Sequence, residues 1–372
     1  MFKRERVFLD FAAGALPNPS SPHQEGRQEK ELLEDARTSI ARTLEVKADD
    51  IIFTSGATEA NALAILGVAR AAKEAGVHPH VLYLPTAHAS VVENMHLLAD
   101  EGCVVEALPL REGLVDTSTL ETMLRPETVL VSMDAVCSET GTIWNTRAVA
   151  KILHQHREHA AFGLWLHVDA SQGVYTEKCT RAHFDADLLT LDGGKLGARG
   201  VGCLCAHRTI PLAPLYRGGG QERGLRAGTE NVEAIDVFAD ALAYAFAEHE
   251  QFSERAARVR AALTKELTAL SGMHIYEAKK QAPNILNLSL PGRDTDYLVA
   301  LLDEAGYAIA TRSACETDSE EGSRAVAALT GDEMQAKSTL RISWGPRVSE
   351  KNITAFAKEL TRAVHFVDRA AS

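Results

Sequence analysis

Trp165-Leu166-His167-Val168-Asp169-Ala170-Ser171-Gln172 and, shortly after it, Leu188-Leu189-Thr190-Leu191-Asp192-Gly193-Gly194-Lys195 decide how this chain is read. Each is a short apolar run that ends in small and charged residues. Runs of this length, bounded by breakers, suit strands buried on both faces. Working outward, similar runs recur at Ile51–Thr54, His80–Leu84, Val104–Leu108, Val129–Met133 and Gly202–Ala206. Between most of them lie stretches with helical periodicity, at 27–44, from the Gly56 turn to about 75, at 90–101, 117–124 and 146–159. This alternation predicts a parallel α/β sheet. Ligands of such sheets sit outside the carboxyl ends of the strands, so the residues that follow each strand become the candidates for function.

Past this core the pattern changes. Residues 229–270 are strongly helical and rich in Ala, and the runs at 283–290, 298–302, 307–311 and 340–343 suggest an α+β unit. The expected organisation is a large α/β domain over 12–247 and a smaller α+β domain built from 1–11 and 248–372, with the boundary inside a long helix. A length of 372 residues suits two domains.

Composition narrows the function. The chain is 45% hydrophobic and 24% charged, with a net charge of −12. An acidic surface repels phosphate backbones, so direct nucleic-acid binding driven by bulk charge is disfavoured. No apolar run approaches the ~20 residues of a membrane span. Met1-Phe2-Lys3-Arg4-Glu5-Arg6 is not followed by the apolar core of a secretory signal. The six cysteines are scattered, without a Cys-x-x-Cys pair, as expected for free thiols in a reducing cytoplasm.

The strand ends carry the chemistry. Ile51–Thr54 runs into Ser55-Gly56-Ala57-Thr58-Glu59, a turn whose free N–H groups at a helix start suit a phosphate, or which is only a strand–helix joint. Asp169 closes its strand and, if buried, needs a hydrogen-bonding or cationic partner; the nitrogen of a pyridinium cofactor is one, a helix cap or local ion pair another. Lys195 is either a solvated loop lysine or a Schiff-base lysine. The glycine-rich loop Arg217 to Gly224 either cradles an anion or is a flexible turn. Cys315, in Arg312-Ser313-Ala314-Cys315-Glu316-Thr317-Asp318, is a cysteine on a polar acidic segment, a candidate nucleophile or an incidental thiol. Cys203 and Cys205 alternate on one strand face and read as core. His154, His156 and His159 are spaced so that they cannot converge on one ion, and no metal is expected.

Taken in order, these stretches resemble the cysteine desulfurases, the class V branch of pyridoxal-phosphate (PLP) enzymes with the aspartate-aminotransferase fold. The resemblance runs from about Phe8 to Val364. It rests on Leu9-Asp10-Phe11-Ala12-Ala13, Asn18-Pro19-Ser20-Ser21, Phe53-Thr54-Ser55-Gly56-Ala57-Thr58-Glu59, His167-Val168-Asp169-Ala170-Ser171-Gln172, Gly218-Gly219-Gly220-Gln221-Glu222-Arg223-Gly224, Ala282-Pro283-Asn284-Ile285-Leu286-Asn287 and Arg312-Ser313-Ala314-Cys315.

The resemblance implies a mostly parallel seven-stranded sheet in the large domain, PLP as cofactor, and a homodimer. It implies that Lys195 links to PLP, that Asp169 pairs with the ring nitrogen, that His88 stacks on the ring and moves protons, and that Gln172 bonds the phenolic oxygen. Gly56, Ala57 and Thr58 would hold the phosphate, Thr229 would reach it from the other subunit, and Ser138 would lie near the ring. Arg341, helped by Asn18, would bind the carboxylate of L-cysteine. Cys315 would take the sulfur as a persulfide and pass it to an acceptor, an iron–sulfur scaffold or a tRNA-thiolation carrier. The long acidic segment after Cys315 matches the group that delivers sulfur directly.

The sequence departs from the family pattern in three places. Asp192 and Gly194 stand where a phosphate-binding Ser and His are usual, which points to weaker PLP binding or to other donors. Ser138 stands for an Asn. A helix usual near Pro17 and Asn18 is missing, which implies a more open entrance. A selenocysteine lyase or another class V PLP enzyme, and a non-catalytic homologue acting as an interaction module, are the alternatives.

Overall fold

The computed structural model describes residues 6–268, 270–311 and 322–370. Its framework grows from the apolar runs. Residues Thr128–Asp134 are buried along their whole length, as are Ile51–Thr54 and Gly202–Ala206. A strand that is apolar on both faces can only sit inside a sheet covered on both sides.

In chain order the first half contains α1 (Gln24–Thr43), β1 (Ile51–Thr54), α2 (Ala57–Glu74), β2 (His80–Tyr83), α3 (Ala89–Asp100), β3 (Val104–Ala107), the hairpin β4 (Leu110–Arg111) and β5 (Leu114–Val115), α4 (Thr117–Met123), β6 (Thr128–Asp134) and α5 (Thr146–His156). Then come β7 (Trp165–Asp169), the short α6 (Arg181–Phe184), β8 (Leu188–Asp192), β9 (Gly202–Ala206) and α7 (Val232–Leu267). The remainder holds β10 (His274–Ile275), β11 (Ile285–Ser289), α8 (Thr295–Glu304), α9 (Arg324–Thr330), α10 (Glu333–Lys337), β12 (Thr339–Ser343) and α11 (Glu350–Ala370).

The main sheet has seven strands in the order β1-β9-β8-β7-β6-β2-β3. The neighbours from β8 through β3 pair in parallel, whereas β9 runs antiparallel to both β8 and β1. The sheet is therefore mostly parallel, as the resemblance implies. The reversal has a local cause. Between β8 and β9 the chain makes one 3-10 turn, Gly193–Leu196, instead of a crossover helix, and Gly197 (φ 91°) in the left-handed region ends it. Lys195 lies on that turn.

β1 is an edge strand, and its outward N–H groups need partners. The Glu222 carboxylate supplies one by accepting from Phe53 N at 2.8 Å. The same carboxylate accepts two bonds from the guanidinium of Arg37 on α1, at 3.0 and 2.7 Å, and Arg37 also donates to Ile51 O at 3.1 Å. Both partners are nearly inaccessible. Burial works against the Arg37 charge, but the bidentate pair with Glu222 outweighs it and holds the guanidinium above its ordinary pKa. This knot ties α1, β1 and the glycine-rich loop together just ahead of the Ser55-Gly56 turn. Glu222 and Arg223 adopt left-handed backbone (φ 46° and 63°) to make it.

A second sheet, β10-β11-β12, is antiparallel. It packs with α8 and α11 around Leu286, Leu288, Leu302, Leu340 and Phe356. The 36-residue α7 serves both cores, with Phe238 and Leu242 in the first and Phe252, Val259 and Leu263 in the second. The run at 307–311 forms no strand; only Ala310 bridges to Arg341. Among the described residues no helix is long and apolar enough to cross a membrane.

Candidate active site

The carboxyl ends of β6, β7 and β8, the start of α2 and the residue before α3 converge on one cavity of about 290 Å³. Its wall includes Gly56, Ala57, Thr58, His88, Asp134, Ser138, Asp169, Gln172, Asp192 and Lys195. Eight of the residues singled out from the sequence thus meet in one place: Gly56, Ala57, Thr58, His88, Ser138, Asp169, Gln172 and Lys195.

Asp169 ends β7 and is 8% exposed. Its two oxygens have separate donors, Asn61 Nδ2 at 2.7 Å and Ser171 N at 3.0 Å. The buried carboxylate is held by an amide and a backbone N–H rather than by a cation. Asn61 sits on α2 and also reaches Ser90 Oγ at 2.9 Å, while Ser90 Oγ meets His88 Nδ1 at 2.9 Å. His88 caps α3, since its Nδ1 accepts from Ser90 N at 3.2 Å. One connected set of bonds therefore joins Asp169 on the sheet to His88 above α3.

Below Asp169 on the same strand face lies His167, fully buried, between Ser132 Oγ on β6 (2.8 Å) and Thr190 Oγ1 on β8 (3.0 Å). Burial pushes its pKa down to about 4, against the pull of Asp169, so it bridges the strands as a neutral ring. Neither Asn61 nor His167 was assigned a part on sequence grounds. The signal was available: Asn61 is a lone amide on the apolar face of an Ala- and Leu-rich helix, and His167 alternates in phase with Asp169.

At the other end of the cavity, α2 begins without a side-chain cap, and Gly56 (φ 153°) precedes it. The turn presses on β9 so closely that a Cβ at Gly202 would lie 2.8 Å from the Gly56 backbone. Ser55 N is taken by Glu59 Oε2 at 2.6 Å, and Glu59 is braced by Tyr216 (2.7 Å) and Arg226 (3.1 Å). An uncapped helix start offers its first-turn N–H groups to an anion, and Thr58 lies on the same wall. Asp192 stands against them. Its Oδ1 would be 3.5 Å from a Cβ at Gly56, and it accepts from Gly194 N at 3.2 Å.

Three other candidates lie off the cavity wall. Arg341, on β12, donates to Ser138 O at 3.4 Å, next to the wall. Asn18 and Thr229 bond to each other at 3.2 Å. Cys315 falls in 312–321, outside the described residues. Both described flanks of that stretch are anchored beside the cavity. Ala310 pairs with Arg341, Ser323 donates to Glu139 Oε2 at 2.6 Å, and Arg324 donates to Ala87 O at 2.9 Å. The five described cysteines, Cys103, Cys137, Cys179, Cys203 and Cys205, are all buried. Burial raises every one of their thiol pKa values, to about 12 for Cys137 and Cys205, which makes them poor nucleophiles.

Known proteins resemble this chain over most of its length. The family model for class-V aminotransferases matches residues 9–356. The chain is 32% identical over 383 residues to a cysteine desulfurase IscS of Dictyoglomus turgidum, covering 97% of this chain and 95% of that protein. It is 31% identical over 355 residues to cysteine desulfurase IscS 1 of Archaeoglobus fulgidus, covering 94% and 91%. The solved structure of a NifS-like protein superposes with a TM-score of 0.86 at 29% identity, over 94% of this chain and 92% of that one. With the whole length matched and a lysine, an aspartate and a histidine drawn from three separate elements into one cavity, this chain belongs to the class-V aminotransferase family and, within it, to the cysteine desulfurases.

Proposed function

We propose that the cavity between β7, β8 and α2 binds PLP and L-cysteine and that sulfur leaves it on Cys315. The observation that carries the reading is the joint presence of Lys195, Asp169, His88 and Gln172 on one 290 Å³ cavity wall. The family is PLP-dependent, and the residues here fit that group. A buried carboxylate with its own N–H partners faces the ring end, a lysine stands on the turn after β8, and an uncapped helix start faces the phosphate end. Ser171 Oγ and Asp134 Oδ1, in two residues of the wall, are buried without a partner among the described residues.

Bound PLP supplies an electron sink for the pair released at the substrate α-carbon. The chain does the rest. Lys195 would supply the amine that tethers the cofactor. Asp169 would pair with the ring nitrogen and keep it protonated, Gln172 would bond the phenolic oxygen, and Ser138 would lie near the ring. His88, fixed through Ser90 and Asn61, carries a proton at its ring. Arg341 binds the substrate carboxylate, with Asn18 beside it. The Cys315 thiolate attacks the sulfur of L-cysteine: an S–S bond forms at Cys315, the C–S bond breaks with its electron pair left on carbon, and protonation of that carbon yields alanine. The thiol that does this must be accessible and ionisable, which the five buried cysteines are not.

Thr229, off the wall of its own cavity and bonded to Asn18, suits a phosphate contact to a partner subunit in a homodimer. The two units of the chain are a large one over 12–247 and a small one from 1–11 and 248–372, the latter carrying the Cys315 segment. The acceptor is an iron–sulfur scaffold or a thiolation carrier in the cytoplasm. The test is an absorption spectrum of the purified protein before and after L-cysteine, with alanine and sulfide assayed under reductant. A band at the visible edge that shifts with cysteine, together with alanine, is expected. Cys315→Ala should keep the band and form no alanine; undiminished turnover in that variant rejects the persulfide route.

A further inference from the structure

Asp134 lines the cavity and has no part in the reaction above. It ends β6 as Asp169 ends β7, and the two are direct partners in the parallel register of these strands. Paired residues on adjacent parallel strands project to the same face, with strands about 4.8 Å apart. Asp134 is only 4% exposed. Two carboxylates so placed, away from water, do not both ionise.

The donors around them are unequal. Asp169 accepts from Asn61 and from Ser171 N. Asp134 accepts from the backbone N–H of His88, and its Oδ1 is buried with no partner among the described residues. Among the described residues, the other charged groups facing it include Arg324 of α9, which favours its ionisation, and Glu139 beyond β6, which opposes it along with Asp169. Lys195 shares the cavity wall, and His167 bridges the strands beneath as a neutral ring. Burial is the largest influence and pushes the Asp134 carboxyl well above the usual carboxylate range, with Asp169 adding to it.

We propose that Asp134 is a neutral carboxyl paired with Asp169, and that its O–H is a hydrogen-bond donor to the ligand at the ring end of the cavity. The pair then carries one negative charge, on Asp169, and one proton, on Asp134. Asp134 is a positioning residue for the bound ring. The ligand half of this inference rests on the cofactor reading above, whereas the carboxyl pair does not.

The experiment separates them. The full-length protein freed of cofactor is compared with Asp134→Asn by infrared spectroscopy. At pH 6 the wild type should show a protonated-carboxyl stretch that the variant lacks; no difference overturns the pair. The sign in stability follows from the raised folded pKa. The folded state binds more protons than the unfolded one between the ordinary Asp value and the raised value, so Asp134 lowers stability as pH rises. Wild-type melting temperature should therefore fall relative to Asp134→Asn as pH rises from about 4 towards neutrality, and parallel profiles over that range overturn the pair. In Asp169→Asn the infrared band should be lost at a lower pH than in wild type, since the neighbouring charge is gone; an unchanged midpoint rejects the coupling.

For the ligand half, PLP is titrated into each protein. Asp134→Asn, which keeps an N–H donor, should bind within about twofold of wild type, and Asp134→Val about fivefold to tenfold more weakly, the worth of one hydrogen bond. Equal affinity in Asp134→Val overturns the ligand contact. Failure of every variant and of wild type to bind PLP overturns the cofactor reading and, with it, the ligand half, while the pair stands or falls on the infrared result.

Discussion

At the β7 end of the cavity, Asp169 is 8% exposed and carries one donor on each oxygen, Asn61 and Ser171 N. At the α2 end, Asp192 is half-buried and accepts one 3.2 Å bond from Gly194 N among the described residues, against a helix start with no side-chain cap. The first end is built before any ligand arrives. Its carboxylate is held by groups on α2 and β7, and His167 locks β6, β7 and β8 beneath it. The second end is less tied down, with the Asp192 carboxylate beside an uncapped helix start. The contrast teaches that the sheet fixes one end of the cavity through buried bonds, whereas the other rests on a looser turn; on the proposed reading, the ring would meet the first and the phosphate the second.

The largest effect should come from Lys195→Ala, which removes the tether between the two ends. The loaded protein should lose its borohydride-reducible bond to the cofactor completely; an intact bond rejects Lys195 as the anchor. Asp169→Asn should follow. Loss of one partner of a buried charge pair costs about 3–5 kcal/mol, so alanine formation should fall by at least about a hundredfold with Cys315 intact. Asn61→Ala probes the same end without touching the cofactor. It strips a charge-assisted bond from a buried carboxylate, and urea unfolding should show a loss of about 2 kcal/mol. A neutral result there would mean that Ser171 N and solvent suffice, and the β7 end is less prebuilt than its geometry indicates.

His167 sets a pH signature of the β7 end. Its folded pKa of about 4 lies below the unfolded value near 6.5, so the unfolded state binds more protons in that window. Stability should therefore drop as pH falls from about 6.5 towards 4, and His167→Gln should flatten that drop in a melting-temperature series. Asp134 slopes the opposite way, and comparison with Asp134→Asn isolates it, since His167 is common to both proteins. The smallest effect belongs to the α2 end. Asp192→Ser removes a like charge near the anion, worth about 1 kcal/mol in a partly solvated setting, and PLP should bind roughly fivefold more tightly. Unchanged affinity would mean that Asp192 turns aside when the phosphate is present.

Much of this was legible in the chain. The runs at 165–168 and 188–191 became β7 and β8 with their charged ends at one edge, because a strand buried on both faces has nowhere else to put an Asp or a Lys. The stretch around Gly56 became a strand–turn–helix joint at the cavity, since only glycine takes its backbone freely. Less visible were the partners. Asn61 and Ser90 are ordinary in sequence and gain meaning only when α2 and α3 lie over β7. The Arg37–Glu222 knot joins residues 185 positions apart. Asp134 escaped because the run at 129–133 was read as ending one residue early, whereas β6 extends through it.

The sequence by itself determined the alternation of strands and helices, the family to which the chain belongs, and the chemical types waiting at the strand ends. Local patterning does this, since burial and turn formation act over a few residues. Only the tertiary structure decided that β9 runs antiparallel after the Lys195 turn, that Asp169 is satisfied by an amide and a backbone N–H rather than a cation, and that a second carboxyl stands beside it. Those outcomes depend on which strands become neighbours and how they register. Non-local packing sets both, and no short stretch of residues encodes them.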